Sequence, residues 1–361
     1  MYCCEHCFKD VNAQKIIKDF GECGACSFCN SKNCKVIDLS KDNALSSACI
    51  NLLDAYEIDE QKGKNLLDSI KEWNIFNTED KSMTKRLIQE LCASSYEKTD
   101  PIYNDNAKLS INIEDIRNDN QILSCSWSDF VNKIKHECRF FNSSNYSGFY
   151  PDAFAWWLKN VLCMTPECET LYRARIISDP QQNFTVNDMY EPPVDKCSAG
   201  RINPEGIPVL YLATKEDTVL YEVRAYLYDL VCTGYFRYLK KDSVKLINLA
   251  NIEQLSPFSP IICDNEENIK RLKLNLNTLK EIAKTISKPL RKTDSILEYI
   301  PTQFLAEFIK LQKYDGIIYK STMISNGMNV ALFNTRIVEC YDVKEKEVTD
   351  INIQYRELSH N

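Results

Sequence analysis

The stretch Gly200–Arg224 reads GRINPEGIPVLYLATKEDTVLYEVR, and its pattern changes twice along its length. The run Asn203-Pro-Glu-Gly206 is typical of a turn, and the apolar run after Pro208 is typical of a strand. From Glu216 onwards, acidic residues followed by apolar residues at three- and four-residue spacing predict a helix over 216–231. A turn, a strand and a helix in succession indicate an α+β domain.

Polar and aromatic side chains occur at intervals along this stretch. Arg201 follows a glycine at the predicted turn, Tyr211 lies on the predicted strand, and Glu222 lies at the border of the helix's apolar stripe. An arginine suits a diphosphate, an aromatic ring suits a flat ring, and a carboxylate suits a ribose hydroxyl or a developing cation. The set therefore favours a dinucleotide, although a surface arginine and a packed tyrosine would look the same in an ordinary segment.

Later runs continue the α+β pattern. Strand-like runs occur at 244–250, 315–321 and 329–343, a helical run occurs at 302–314, and the polar segment 257–268 is predicted to be a surface loop. Ser321 ends one strand-like run and Asn329 begins the next. A serine at the end of a strand is commonly a turn residue, so this alternative to a binding role stays open.

The first 40 residues predict a zinc ribbon. Cys4-Glu-His-Cys7 and Cys26-Ser-Phe-Cys29 are C-x2-C pairs, and their separation lets four thiolates converge on one zinc ion. A segment this small buries too little apolar area to fold alone, so the metal would be structural. The exact ligands stay open among Cys3, Cys4, His6, Cys7, Cys23, Cys26, Cys29 and Cys34.

Residues 41–165 predict a helical domain. The segments 63–76, 79–92 and 128–141 repeat apolar residues at helical spacing. None of them carries an R-x4-H motif, so the ribonuclease chemistry of helical bacterial toxins is not expected.

Composition limits the classes of function. The net charge is −7 with both signs interspersed, which argues against direct nucleic-acid binding. No apolar run reaches 18 residues and the N-terminus lacks a signal pattern, so we expect a cytoplasmic protein without a membrane partner. In that compartment the 17 cysteines are expected to stay reduced or to bind metal.

The second half of the chain resembles the RES family, which is named for an arginine, a glutamate and a serine. The family pattern is a Gly-Arg loop, an apolar strand with tyrosine, a helix with glutamate and a late strand ending in serine. The matching residues are Leu171-Tyr-Arg-Ala-Arg175, Gly200-Arg201, Tyr211-Leu-Ala, Glu222, Tyr299-Ile-Pro-Thr-Gln303, Tyr319-Lys-Ser321 and Asn329-Val-Ala-Leu-Phe333.

The N-terminal half is similar to the zinc-ribbon and helical module that precedes RES domains in some bacterial proteins. Cys4-x2-Cys7-Phe and Gly24-Ala-Cys26-Ser-Phe-Cys29 carry this likeness. The expected organisation is a zinc ribbon over 1–40, a helical domain over 41–165, an ADP-ribosyltransferase-like RES domain over 166–345 and a tail over 346–361.

The resemblance implies a toxin that consumes NAD by hydrolysis or phosphorolysis, or that passes ADP-ribose to a protein. It implies that Arg201 grips the NAD diphosphate or ribose, that Tyr211 packs on the nicotinamide, and that Glu222 is the central catalytic carboxylate. Arg201, Glu222 and Ser321 form the implied catalytic set, in which Ser321 would orient the ligand. Arg173 and Asn329 are further candidate NAD-binding residues.

Leu220 reduces the set of acceptors to which ADP-ribose would be transferred. Arginine-directed ADP-ribosyltransferases carry a second glutamate two residues before the catalytic one, and this chain has Leu220 there. Phosphate, water or another protein side chain remain as acceptors. The resemblance also implies an antitoxin or trigger protein as partner, with the N-terminal half as sensor, docking surface or brake. A homo-oligomer and a non-enzymatic zinc-binding interaction protein stay open as alternatives.

Overall fold

The computed structural model describes residues 1–140, 147–179, 181–288, 295–324 and 326–351. These residues form two compact units, each built from separate segments of the chain. The first unit comprises Met1–Trp127, 147–161 and Asn251–Lys280, and the second comprises 128–140, Leu162–Ala250 and the described residues from Glu281 onwards. Compactness does not test which segments fold alone, so the expected boundaries at 40, 165 and 345 stay a prediction.

The first unit begins with a small antiparallel sheet of strand order β1-β3-β2. Its strands are β1 (Tyr2–Cys4), β2 (Glu22–Gly24) and β3 (Cys34–Asp38). Helix α1 (Val11–Phe20) connects β1 to β2, and the Asp10 carboxylate accepts hydrogen bonds from the backbone N–H groups of its first turn. This sheet brings the two cysteine pairs to the same end of the ribbon.

Helices form most of the rest of the first unit. They are α2 (Ala44–Asp54), α3 (Leu66–Lys71), α4 (Lys81–Leu91), α5 (Glu114–Asn120) and α7 (Pro151–Trp157). Helix α6 (Trp127–His136) lies between α5 and α7 in the chain, and its residues 128–136 belong to the second unit. The strands β4 (Glu57–Ile58) and β5 (Leu109–Ser110) form a short antiparallel pair.

The segment Asn251–Lys280 packs in the first unit, although it lies within the predicted RES range. Phe258 and Ile262 are fully buried, and the Phe258 ring lies 6.2 Å from the ring of Phe8 in an edge-to-face contact. The prediction of a surface loop at 257–268 was therefore wrong for Phe258 and Ile262, whereas residues 264–267 are exposed. The segment is polar as a whole, but its turn directs these two apolar side chains into the core.

Helix α9 (Glu266–Ser287) carries a buried polar anchor in the first unit. The Asn275 side chain accepts a hydrogen bond from the Ile122 backbone N–H at 2.8 Å and donates to the Asn120 carbonyl at 2.8 Å. Asn275 is 1% exposed. It therefore satisfies two backbone groups that water cannot reach.

The second unit contains an eight-stranded sheet of order β13-β9-β7-β8-β12-β11-β10-β6 among the described residues. The strands are β6 (Cys163–Met164), β7 (Leu171–Ile176), β8 (Leu210–Ala213), β9 (Leu230–Tyr238), β10 (Leu246–Asn248), β11 (Gly316–Lys320), β12 (Met328–Leu332) and β13 (Val338–Glu347). In the part of the sheet that the structure describes, only β10 and β11 pair in parallel. With the helices α8 (Glu216–Glu222) and α10 (Ile300–Leu311), the sheet confirms the predicted α+β class.

Strands β7 and β8 meet at a single pair, Tyr172 with Ala213. Beyond that pair β7 continues to pair with β9, and β8 continues to pair with β12. The sheet therefore opens between two strands that each keep a partner on the other side.

The helix predicted over 216–231 is shorter in the structure. Helix α8 ends at Glu222, Arg224 and Tyr228 have positive φ angles, and Leu230 already belongs to β9. Beyond Val223, the side chains of Tyr226, Leu227 and Tyr228 are exposed in a turn. Leu230 and Val231 pair as strand, and Val231 is held between β7 and β13. Glu222 is thus the last helical residue and not part of a longer helix face.

The run 329–343 forms two strands, β12 and β13, separated by a turn of 3-10 helix at Thr335–Ile337. The expected tail at 346–361 begins inside β13, which ends at Glu347, and residues 352–361 lie outside the described residues. None of the helices in the described ranges is both long and apolar enough to cross a membrane.

We expect Asn275→Ala to lower the free energy of unfolding by about 1–3 kcal/mol, because two buried backbone groups lose their partner. Chemical denaturation of the full chain measures the change. Asn277→Ala is the matched control, since Asn277 is an exposed asparagine two residues further along the same helix. Equal losses in the two variants would contradict the anchoring role of Asn275.

Candidate functional site

A cleft of about 320 Å³ lies where the sheet of the second unit opens between β7 and β8. Arg173 and Ala174 line it from β7, and Tyr211 and Leu212 line it from β8. Its other lining residues are Arg201, Val219, Glu222, Val223, Tyr299, Tyr319 and Asn329. The volume lies in the usual range for small-molecule sites.

Glu222 is held at the cleft by two buried side chains. Its Oε1 accepts hydrogen bonds from the Ser321 hydroxyl and from the Asn329 side-chain amide, each at 2.7 Å. Ser321 follows β11 and Asn329 lies on β12, so both donors come from adjacent strands of the sheet. Glu222 itself is exposed, and the arrangement fixes a carboxylate at the cleft without burying it.

The loop that carries Arg201 is tied to Tyr211. The Tyr211 hydroxyl accepts a hydrogen bond from the Ile202 N–H at 3.0 Å and donates to the Asn203 side-chain oxygen at 2.7 Å. A Cβ atom on Gly200 would lie 2.5 Å from that oxygen and 2.7 Å from the hydroxyl. Only glycine therefore fits at position 200 while this contact exists.

The Arg201 guanidinium has fixed partners. Its Nη1 donates to the Ile286 carbonyl at 2.7 Å, in the last turn of helix α9, where carbonyl groups lack helical partners. Its central carbon lies 5.9 Å from the centre of the Tyr319 ring. A helix C-terminus and an aromatic face both favour a cation, so the charge is held in place before any ligand binds.

Arg173 brings a second positive charge to the cleft. Its Nη1 is buried and has no hydrogen-bond partner among the described residues. Burial, together with the nearby charge of Arg175, lowers the pKa of Arg173 to about 10. A buried guanidinium nitrogen without a partner indicates a place for an anionic ligand group.

Five residues that the sequence assigned to one site line this cleft: Arg173, Arg201, Tyr211, Glu222 and Asn329. Ser321 does not line the cleft but holds Glu222. Their roles toward a ligand stay predictions.

Two tyrosines of the cleft were not assigned from sequence, Tyr299 and Tyr319. Strand alternation could have indicated Tyr319, because it lies two residues before Ser321 and shares its face of the strand. Burial raises the pKa of Tyr211 and Tyr319, so both phenols stay protonated at neutral pH.

The predicted zinc ligands also converge, in the first unit. Within the described residues, the sulfur atoms of Cys4, Cys7, Cys26 and Cys29 all lie within 4.8 Å of one another. The Sγ atoms of Cys4 and Cys7 are 3.9 Å apart, those of Cys4 and Cys29 are 3.4 Å apart, and those of Cys7 and Cys26 are 3.5 Å apart. Four thiolates around zinc at 2.3 Å would be about 3.8 Å apart, so the donor set fits a tetrahedral zinc ion.

Electrostatics supports the same assignment. Hydrogen bonds with Cys3 and Cys7 lower the pKa of Cys26, whereas the hydrogen bond with Cys26 raises the pKa of Cys7. Thiolates this close repel one another, and a divalent cation removes that repulsion. Cys4, His6 and Cys34 form a second grouping, but it shares Cys4 and offers one donor fewer.

Comparisons with known proteins place the cleft in a family context. A protein-family model described as the RES domain matches residues 170–356, just over half of the chain. No curated protein matches the chain. The crystal structure of the M. tuberculosis MbcT-MbcA toxin-antitoxin complex contains a chain that is 12% identical to this one. The match covers 51% of this chain and 87% of that chain with a TM-score of 0.30, which is too weak to carry an argument.

For the metal site we expect about one zinc ion per chain in the purified protein, measured by elemental analysis. Cys26→Ser removes one of four ligands, so it should lose the bound zinc and lower the melting temperature, because metal binding contributes to folding. Cys23→Ser is the matched control, since Cys23 is exposed and belongs to an overlapping C-x2-C pair. Equal zinc loss in both variants, or a wild-type protein without zinc, would contradict the assignment.

Proposed function

The chain belongs to the RES domain family, as its residues predicted, and from this premise we propose that it cleaves the nicotinamide–ribose bond of NAD. The observation that carries the proposal is the meeting of Arg201, Tyr211 and Glu222 at one cleft. A cation, an aromatic ring and a carboxylate suit the diphosphate, the nicotinamide ring and the developing ribose cation respectively.

Binding of NAD would use the positive and aromatic sides of the cleft. Arg201 and Arg173 would contact the diphosphate, and the partnerless Nη1 of Arg173 would gain a charge-assisted hydrogen bond. Tyr211 would pack on the nicotinamide. Its hydroxyl is already engaged by the Arg201 loop, so its ring position is fixed before NAD binds.

Bond cleavage would depend on Glu222. When the bond between ribose C1′ and the nicotinamide nitrogen breaks, the electron pair leaves with nicotinamide and the ribose becomes oxocarbenium-like. A fixed carboxylate stabilises this positive charge more than it stabilises neutral ribose, and this difference lowers the barrier. Ser321 and Asn329 would keep the carboxylate in position, so that it does not reorganise during the step.

The acceptor would be a small nucleophile, water or phosphate, which adds to C1′ and loses a proton. The position two residues before Glu222 holds Leu220, which packs against the apolar cluster around Val219 and Ala174. No carboxylate stands there to orient a protein arginine. The alternative acceptor is a protein side chain other than arginine, which would receive ADP-ribose by the same bond cleavage.

We also propose a toxin or defence role with an antitoxin or trigger protein as partner, on the strength of the family alone. In this scheme the N-terminal half is a sensor, docking surface or brake, and its zinc ion is structural rather than catalytic.

Incubation of the purified full chain with NAD, with and without phosphate, tests the proposal. We expect release of nicotinamide, measured by chromatography, with ADP-ribose as co-product in water and a phosphorylated ADP-ribose when phosphate accepts. No nicotinamide under any condition would overturn the enzyme proposal and favour a non-enzymatic interaction protein.

We predict that Glu222→Gln lowers nicotinamide release at least about 100-fold, because the amide keeps the shape but loses the charge. The melting temperature should change little, since Glu222 is exposed. Asp217→Asn is the matched control, because it removes the charge of an exposed carboxylate on the same helix. Unchanged turnover in Glu222→Gln would exclude the catalytic role of this residue.

A further inference from the structure

The loop that carries Arg201 depends on contacts from helix α10 (Ile300–Leu311). The Gln303 Nε2 donates to two loop carbonyls, that of Gly200 at 2.8 Å and that of Asn203 at 2.9 Å. These carbonyls lie on either side of Arg201 and Ile202. One amide therefore holds both ends of the short segment from which the guanidinium extends.

Thr302 adds a contact to Arg201 itself. Its hydroxyl is hydrogen-bonded to the backbone carbonyl of Arg201 and lies 2.9 Å from the carbonyl of Tyr299. Thr302 is 1% exposed, so water cannot replace it at this carbonyl. The first turn of α10 thus grips the Arg201 loop at three carbonyls.

The start of this helix is well defined. Pro301 occupies its first turn, where the missing N–H is tolerated and the fixed φ angle suits a helix. Tyr299, the residue before the helix, lines the cleft. The start of helix α10 therefore forms part of the cleft wall and also contacts the Arg201 loop.

Gln303 does not line the cleft. It is half-buried, and its described contacts are to the loop backbone. Any effect it has on a ligand must pass through the loop. Without it, Arg201 would keep its contacts to the Ile286 carbonyl and the Tyr319 ring, but the two carbonyls on either side of it would lose their shared donor.

We propose that Gln303 is a positioning residue that sets NAD affinity by holding the Arg201 loop. This inference rests on the proposed function. A diphosphate contact from Arg201 is made equally in the ground state and the transition state, so its loss should raise KM and leave kcat nearly unchanged. Loss of the Glu222 charge should instead lower kcat.

The test compares Gln303→Met, which keeps the shape without the donor, with the full-length wild type. We expect KM for NAD to rise about ten-fold, with kcat within about two-fold, because the orientation of a charged contact is lost. Gln303→Glu, which places a carboxylate against two carbonyls, should raise KM further. Glu307→Gln is the control, since Glu307 is exposed on the same helix.

Thr302→Val gives an independent variant should Gln303→Met fail to fold, and it should also raise KM more than it lowers kcat. A fall in kcat at unchanged KM, or a lower melting temperature with unchanged kinetics, would overturn the positioning role. Calorimetric titration of NAD in the Glu222→Gln background separates the two proposals. If NAD binds and Gln303→Met weakens that binding, while the wild type shows no turnover, the enzymatic proposal alone is contradicted. If no NAD binding is detected, both proposals are contradicted.

Discussion

The single pairing between β7 and β8 is the constraint on which the site depends. Because Tyr172 and Ala213 are the only described residues through which these two strands pair with each other, the next residues of each strand diverge and become the walls of a cleft. Full pairing in the same register would set Arg173 opposite Leu212 and Ala174 opposite Tyr211, and it would close this opening. Pairing with β9 and β12 on the outer sides keeps both strands rigid, so the opening does not cost the strands their order.

Hydrogen bonds then hold two charged groups of the cleft, Glu222 and Arg201, from behind. Two buried donors from β11 and β12 hold one oxygen of Glu222, and the end of helix α9 holds the Arg201 guanidinium. The loop of Arg201 is held by Tyr211 on one side and by the first turn of α10 on the other. A site whose charges are fixed in this way does not need to reorganise when a ligand arrives, which is the physical basis of electrostatic preorganisation.

The first unit combines a cysteine cluster with a helical core and with a segment that the sequence alone assigns to the RES domain. Phe8 stands directly after Cys7 and packs on Phe258, so the ribbon and the segment Asn251–Lys280 share one core. Residues far apart in the chain thus stabilise one another. The shared core also explains why the ribbon, which has little apolar area of its own, is ordered outside its four-cysteine cluster.

The sequence by itself determined the α+β class, the spacing of the cysteine pairs and the residues proposed for the NAD site, Arg201, Tyr211 and Glu222, because residue type and local period follow directly from the order of the chain. It did not determine where helix α8 ends, that Phe258 and Ile262 are buried, or that Tyr299 and Tyr319 face the cleft. Nor did it show that Ser321 supports Glu222 instead of lining the cleft. These features depend on contacts between residues that lie far apart in the chain, as in the bond from Gln303 to Gly200. Local propensity carries no information about such contacts, so only the tertiary structure decided them.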